Sequence, residues 1–478
     1  MYIGLDLGTS GVKGVLVDAG QRIVAEAGAP LNVSRPHPGW SEQSPADWLA
    51  AAETVLDALA AEHPLGDVKA IGLSGQMHGA TLLDASEAVL RPCILWNDTR
   101  SHQQAAALDA DPAFRAISGN IVFAGFTAPK IAWVRDNEPA IFERIARVLL
   151  PKDFLRLWLT GEHVSEMSDA AGTSWLDTGA RAWSDTLLAG TGLGRDHMPG
   201  LVEGSAVSGT LRAEIAARWG LADGVVVAGG GGDNAASAVG VGVTGPGEAF
   251  VSLGTSGVLF AACDAYAPAP ETAVHTFCHA LPRTWHQMGV ILAATDALNW
   301  YAGLVGAEPA ELTAALGDLQ APGRTLFLPY LGGERTPHND ASVRGALVGL
   351  EHATDRRAVA RAVLEGVVHA VRDCRDALAA TGTRFDRLIA VGGGSKSDYW
   401  LKALATALDV AIDRPAAGDF GAAFGAARLA MMAAGDLGVD GLTQPPIDAT
   451  FEPDRALTDA FTEAHTHFKT AYQHTRTL

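Results

Sequence analysis

Short apolar runs ending in glycine-rich polar turns recur along this chain. Between them lie longer stretches in which apolar residues return every three or four positions. Tyr2-Ile3-Gly4-Leu5-Asp6-Leu7-Gly8 reads as a buried strand running into a glycine turn, and Gly14-Val15-Leu16-Val17-Asp18 as a second strand. Asp18-Ala19-Gly20 supplies a hairpin turn, and residues 22–27 read as a third strand. Ser44-Pro45 opens a helix through about Ala61, with Trp48, Ala52, Val55, Leu56 and Leu59 on one apolar face. Residues 68–73 read as a short strand that ends in the polar loop Ser74-Gly75-Gln76-Met77-His78-Gly79. Strands alternating with helices predict a layered α/β architecture.

The pattern then starts again. Residues 249–260 read as strand, turn and strand, and Leu-Gly-Thr-Ser-Gly occurs identically at 7–11 and 253–257. A repeat at half the chain length points to a duplicated domain instead of a short-period solenoid. Further on, residues 356–380 read as a long helix with Val359, Val363, Val367, Ala370 and Cys374 on one face. Residues 388–391 form a strand that runs into Gly392-Gly393-Gly394, and 419–434 an Ala- and Gly-rich helix suited to close packing. Gln444-Pro445-Pro446 marks a linker before a final amphipathic helix around 456–473.

Composition narrows the function classes. With 478 residues the chain exceeds one ordinary core, and 48% hydrophobic against 19% charged residues excludes disorder. A net charge of −19 argues against nucleic-acid and anionic-membrane partners, which need basic patches. Any phosphate site must then be made positive locally, by backbone N–H groups, a metal ion or a few Lys and Arg. Cys93, Cys263, Cys278 and Cys374 form no CxxC pair and read as free, reduced thiols. No basic leader and no apolar run of about 18 residues is present, so a soluble cytoplasmic protein is expected.

Three glycine turns carry candidate chemistry. In Asp6-x-Gly8-Thr9-Ser10, backbone N–H groups form an anion nest, the hydroxyls add donors, and Asp6 can hold a metal ion. A plain hairpin is the bland alternative; two identical copies favour phosphate. Gly229-Gly230-Gly231-Gly232-Asp233-Asn234 follows an apolar run, bringing a carboxylate to an open turn. Asp233 is there either a general base or the N-cap of the helix that follows. Gly392-Gly393-Gly394 is either a close approach to a base or phosphate, or a tight turn. Gly240-Val241-Gly242-Val243-Thr244-Gly245 is a literal GxGxxG, but it follows a helix instead of a strand, and no GxxxxGK[ST] occurs. His78 is a sugar contact or a loop anchor; Trp40, Trp96 and Trp300 stack on a sugar or pack in a core. Arg335 pairs with phosphate or with the surroundings of Glu334.

These segments resemble the FGGY carbohydrate kinases, and within them the branch acting on D-xylulose. The resemblance is carried by residues 2–13, Ser-Arg-Pro-His-Pro-Gly-Trp-Ser-Glu-Gln (34–43), Gly-Gln-Met-His-Gly (75–79) and Leu-Trp-Asn-Asp (95–98). Leu-Pro-Lys-Asp (150–153), Ser-Asp-Ala-Ala-Gly-Thr (168–173), Gly-Asp-Asn-Ala-Ala (232–236), 252–257, 328–338 and 392–394 follow in order. It spans residues 1 to about 430. The four-glycine run departs from the commoner three, and the last 45 or so residues match poorly. The resemblance implies two actin-like, ribonuclease-H-like α/β domains with an active-site cleft between them. The domains would be 1–244 for sugar and base and 245–440 for nucleotide, with 441–478 as linker and helix. It implies transfer of the γ-phosphoryl of ATP to O5 of D-xylulose, with another ketose or a pentitol as the alternative. Asp233 would be the base and Asp6 the Mg²⁺-associated acid. Met77, His78, Trp96, Asp233 and Asn234 would contact the sugar. Thr9, Ser10, Lys13, Gly254, Thr255, Gly393, Gly394 and Ser397 would contact the nucleotide. A homodimer is a family-level expectation.

Overall fold

The computed structural model describes residues 1–416 and 420–477. Its strands and long helices fall where the apolar periodicity puts them. The first strands are Tyr2–Leu7, Gly11–Val17 and Ile23–Pro30, and the first helix is Pro45–Glu62. That helix buries Trp48, Ala52, Val55, Leu56 and Leu59, the face expected from their spacing. The long helix spans Arg356–Ala380, and Asp355 caps it by accepting from the Ala358 N–H. The helix expected over 419–434 is Ala422–Ala433, and Asp419 lies outside the described residues.

The chain forms two units that interleave in sequence. The first comprises Met1–Thr244, Phe277–Trp285 and Asp419–Gln444; the second comprises Gly245–Thr276, His286–Gly418 and Pro445–Leu478. In the first unit the strands lie in the order Val207–Thr210, Val226–Ala228, Ala70–Gly75, Tyr2–Leu7, Gly11–Val17, Ile23–Pro30. The three central strands run parallel, and the outer neighbours are antiparallel. In the second unit Ile447–Phe451, Ala411–Pro415, Arg387–Val391, Ala249–Leu253 and Gly257–Cys263 follow in the corresponding order. The parallel and antiparallel pairings repeat as well. The repeated pentapeptide is the turn of the same hairpin in each sheet.

Glycine sets how closely the first unit packs. A Cβ on Gly4 would lie 1.9 Å from the Ala423 carbonyl oxygen, and one on Gly72 would lie 1.8 Å from that of Ala426. The helix Ala422–Ala433 therefore sits directly on the backbone of two neighbouring parallel strands, burying its Phe424 and Met431 with Tyr2, Val15 and Ala70. A Cβ on Gly425 would lie 1.7 Å from the Ala236 oxygen, so the same helix also grips the helix Asp233–Val241. In the second unit the final helix, Thr458–Thr475, buries Phe461, His465 and Phe468. His465 Nε2 lies 2.8 Å from Asp373 Oδ1. All four cysteines are free. Among the described residues no helix is long and apolar enough to cross a membrane.

Candidate active site

In the first unit the parallel register gathers the polar residues. Asp6 lies beside Ser74 and Leu7 beside Gly75, so the first strand and the strand before Met77 end together. Gly231 and Gly232 run beside Ser74 and Gly75, which brings Asp233 alongside the same loop. A Cβ on Gly232 would meet Met77 Cγ at 2.9 Å, and one on Gly172 would meet His78 Cε1 at 2.5 Å. The two sugar candidates, the base candidate and the turn at Gly172 thus share one surface of this unit.

Asp233 is the first residue of its helix, behind Gly232, and not its N-cap. The capping reading is thereby corrected. Its Oδ1 accepts from the Asn234 N–H at 2.7 Å and from Asn234 Nδ2 at 3.0 Å. Both bonds land on one oxygen, leaving Oδ2 without a partner among the described residues. Burial pushes the carboxyl up, and the two Asn234 donors oppose it. A carboxylate with one anchored and one open oxygen is arranged to accept a proton.

The loop carrying Met77 and His78 is held by a hydrogen-bond chain that sequence reading missed. Thr9 Oγ1 donates to Gln76 Oε1 at 3.0 Å, and Gln76 Nε2 donates to Gln43 Oε1 at 2.9 Å. Trp48 Nε1 donates to that same Gln43 oxygen at 3.0 Å. Trp96, nearly half exposed, donates from Nε1 to Thr9 Oγ1 at 3.0 Å. His78 has φ 70° and lies with Nδ1 2.7 Å from the Gly172 carbonyl. A carbonyl only accepts, so Nδ1 carries a proton. Phe126 stacks on the His78 ring at 4.5 Å. Lys130 Nζ donates to the carbonyls of His78 at 2.8 Å and Gly125 at 2.7 Å. Burial pushes this ammonium down to about 7, against the pull of Cys93 and Asp98. The signal for Lys130 was a lysine inside an otherwise apolar helical face, Thr127–Asn137.

The other tryptophans divide. Trp40 lies under the Arg100 guanidinium at 3.6 Å and against Trp133, so it is engaged in packing. Trp300, in the second unit, stacks on Phe327 at 5.5 Å. Lys13 faces Asp6 in register, and its ammonium lies 3.2 Å from Glu26. Ser10 is exposed at the hairpin tip, its carbonyl accepting from the Leu31 N–H at 2.9 Å.

The second unit builds its own pair of turns. Thr295 closes one by donating Oγ1 to the Gly254 carbonyl at 2.8 Å, and Thr255 is exposed. Gly392, with φ 87°, abuts this turn: a Cβ there would lie 2.8 Å from the Leu253 carbonyl. Gly393 is exposed with open space where a Cβ would be, whereas Gly394 is packed between Leu253 and Trp400. Ser397 caps the helix Asp398–Leu408, its side chain accepting from the Trp400 N–H at 3.3 Å. Arg335 is half-buried with NH1 3.4 Å from His275 Nε2, and its backbone N–H donates to Glu334. Burial pushes Glu334 up to about 8. Gly240 and Gly242 end the helix Asp233–Val241, outside any strand-to-helix turn.

Known proteins share this arrangement. Residues 1–240 match the N-terminal domain, and residues 249–434 the C-terminal domain, of the FGGY family of carbohydrate kinases. The xylulose kinase of Escherichia coli K12 is 49% identical over 478 residues, covering 99% of both chains. That alignment takes in the last 45 or so residues, where motifs alone show little resemblance. A xyloylose kinase structure from Brucella ovis is 63% identical with a TM-score of 0.98, covering 99% of this chain and 98% of that one. The xylulose kinase of Rhodospirillum rubrum is 31% identical with a TM-score of 0.92, covering 98% of both. With both halves of the chain matched and its motifs in register, the chain belongs to the FGGY family of carbohydrate kinases.

Proposed function

We propose that this chain transfers the γ-phosphoryl of ATP to O5 of D-xylulose, giving D-xylulose 5-phosphate and ADP, with Asp233 as the base. The open Oδ2 of Asp233, alongside the Met77–His78 loop, carries the reading. The sugar is taken from the relatives named above. In the reaction, O5 forms a bond to the γ-phosphorus while the bond from that phosphorus to the bridging oxygen breaks. The bridging oxygen keeps the electron pair and leaves on ADP. The O5 proton passes late to Asp233 Oδ2, because the hydroxyl is a far weaker acid than the carboxyl. Trp96, Met77, His78 and Asn234 orient the sugar. Gly254, Thr255, Gly393, Gly394 and Ser397 in the second unit, with Thr9, Ser10 and Lys13, attend the nucleotide.

Asp6 and the hydroxyls of Thr9 and Ser10 offer hard oxygen donors of the kind Mg²⁺ takes, and among the described residues no cluster of three or more His, Cys, Asp or Glu competes for a metal. When bound, Mg²⁺ would neutralise charge on the phosphates. The reading also carries a cytoplasmic location and a homodimer, the latter checked by light scattering on the purified chain.

A coupled ADP-release assay over pentuloses and pentitols tests the assignment. D-xylulose should give the highest kcat/KM, with its 5-phosphate as product. A preference for ribulose or arabinitol would move the substrate. ATP binding without sugar phosphate would reject the kinase reading.

A further inference from the structure

Four consecutive glycines leave the backbone ahead of Asp233 without side chains to fix it, so its course is imposed by neighbours. One of those neighbours, Arg156, belongs to a group of buried charges in the first unit, and another, Ser168, is bonded to a member of it. The helix Pro151–Thr160 carries Lys152, Asp153 and Arg156, Glu166 caps the short helix Met167–Ala171 and Asp169 lies within it; all five side chains are fully buried. Lys152 Nζ lies 2.8 Å from Asp153 Oδ1, 3.0 Å from Asp169 Oδ2 and 3.4 Å from Glu166 Oε1. Burial pushes the Asp169 carboxyl up, against Lys152 and with Asp153 and Glu166.

Such a cluster adds little net stability over apolar packing, so its hydrogen-bonding geometry is the informative part. Arg156 donates from NH1 to the Ala228 carbonyl and from NH2 to the Gly229 carbonyl, each at 2.6 Å. It also donates to the Val164 carbonyl and the Ser208 hydroxyl. Glu166 Oε1 accepts from the Ser168 hydroxyl at 2.9 Å, and the oxygen of that hydroxyl accepts from the Gly232 N–H at 3.0 Å. The entry of the glycine turn is thus held by a guanidinium and its exit by a serine oriented through Glu166.

We propose that Arg156 and Ser168 are positioning residues for phosphoryl transfer: they hold the two ends of the turn at 229–232 and so fix where the Asp233 carboxylate stands. This rests on Asp233 being the base. Ser168→Ala should lower kcat about tenfold, a loss typical of a displaced catalytic group, with KM for sugar and ATP within about twofold. The acid limb of its kcat–pH profile should shift as the carboxyl's surroundings change. Because the effect runs through Asp233, adding Ser168→Ala to Asp233→Asn should cost nothing further. Unchanged kcat in Ser168→Ala, or an equal loss in both backgrounds, overturns the proposal. Near-normal turnover in Asp233→Asn alone overturns the base reading instead. Arg156→Lys keeps the charge but replaces the planar fork, which also reaches Val164 and Ser208, with a single ammonium, and it is judged by the same criteria if Ser168→Ala does not fold.

Discussion

The two units set the same hairpin into the same place in the same sheet, yet the residues at the strand ends differ. In the first unit Asp6 stands two residues before the turn glycine; in the second that position is Ser252. The parallel neighbour of the hairpin runs on into Gln76-Met77-His78 in the first unit and into Gly392-Gly393-Gly394 in the second. One unit sets an acid, a methionine and a histidine at these ends, and the other a serine and three glycines. The shared fold supplies the strand ends, and the residues at those ends are where the two units differ.

The comparison breaks most severely at Asp233. Asp233→Asn should reduce sugar phosphorylation by roughly 10²–10⁴-fold with ATP binding retained, as read by steady-state rates and calorimetry. Exchanging the hairpin acids comes next. Asp6→Ser, which makes the first hairpin like the second, should lower kcat about 100-fold and raise the Mg²⁺ requirement. Ser252→Asp should leave sugar affinity alone and raise KM for ATP about tenfold through like-charge repulsion. A smaller effect concerns pH. Asp233 must be ionised to accept a proton, and its pKa is raised, so kcat should fall on the acid side at a pH above the ordinary aspartate value.

The smallest effect separates two buried histidines. His279 in the first unit is bonded at both nitrogens, to the Val243 carbonyl and the Leu281 N–H. His369 in the second has neither nitrogen bonded among the described residues, and burial pushes it down to about 3. The unfolded ring takes a proton near pH 6.5, so the stability is present above that pH and declines as pH falls towards 3. His369→Leu should remove about 2 kcal/mol of that loss at pH 5, read from urea midpoints at pH 7.5 and pH 5. His279→Leu should destabilise at pH 7.5 by removing both bonds, and less so at pH 5, because burial pushes that ring down as well, to about 4.

Local patterns were legible because their causes are local. The 3–4 spacing from Trp48 to Leu59 and the run from Arg356 to Ala380 appear as helices with the expected faces. The repeated pentapeptide marked the duplicated hairpins. What escaped was set by partners distant in sequence. Gly231–Gly232 reach Ser74–Gly75 across more than half the first unit, and no spacing announces that register. Ser168 opens a recognisable family segment and Arg156 lies just past another, but their bonds to Ala228, Gly229 and Gly232 exist only once the sheet has formed. Their one local signal was a set of charges on a buried helix, Lys152, Asp153 and Arg156.

The helix Ala422–Ala433 on Gly4 and Gly72 has a consequence for synthesis on the ribosome. The strands it covers are among the first made, and it is among the last. At roughly 5–20 residues per second, the stretch from strand to covering helix takes about 20–70 s to emerge. Throughout that interval the glycine face of the first sheet is bare. A nascent chain stopped at residue 416 would carry every residue assigned to sugar and base, with no lid of helix over the strands that hold them. Such fragments should be chaperone clients, and a separately supplied 420–444 peptide should be able to rescue their solubility.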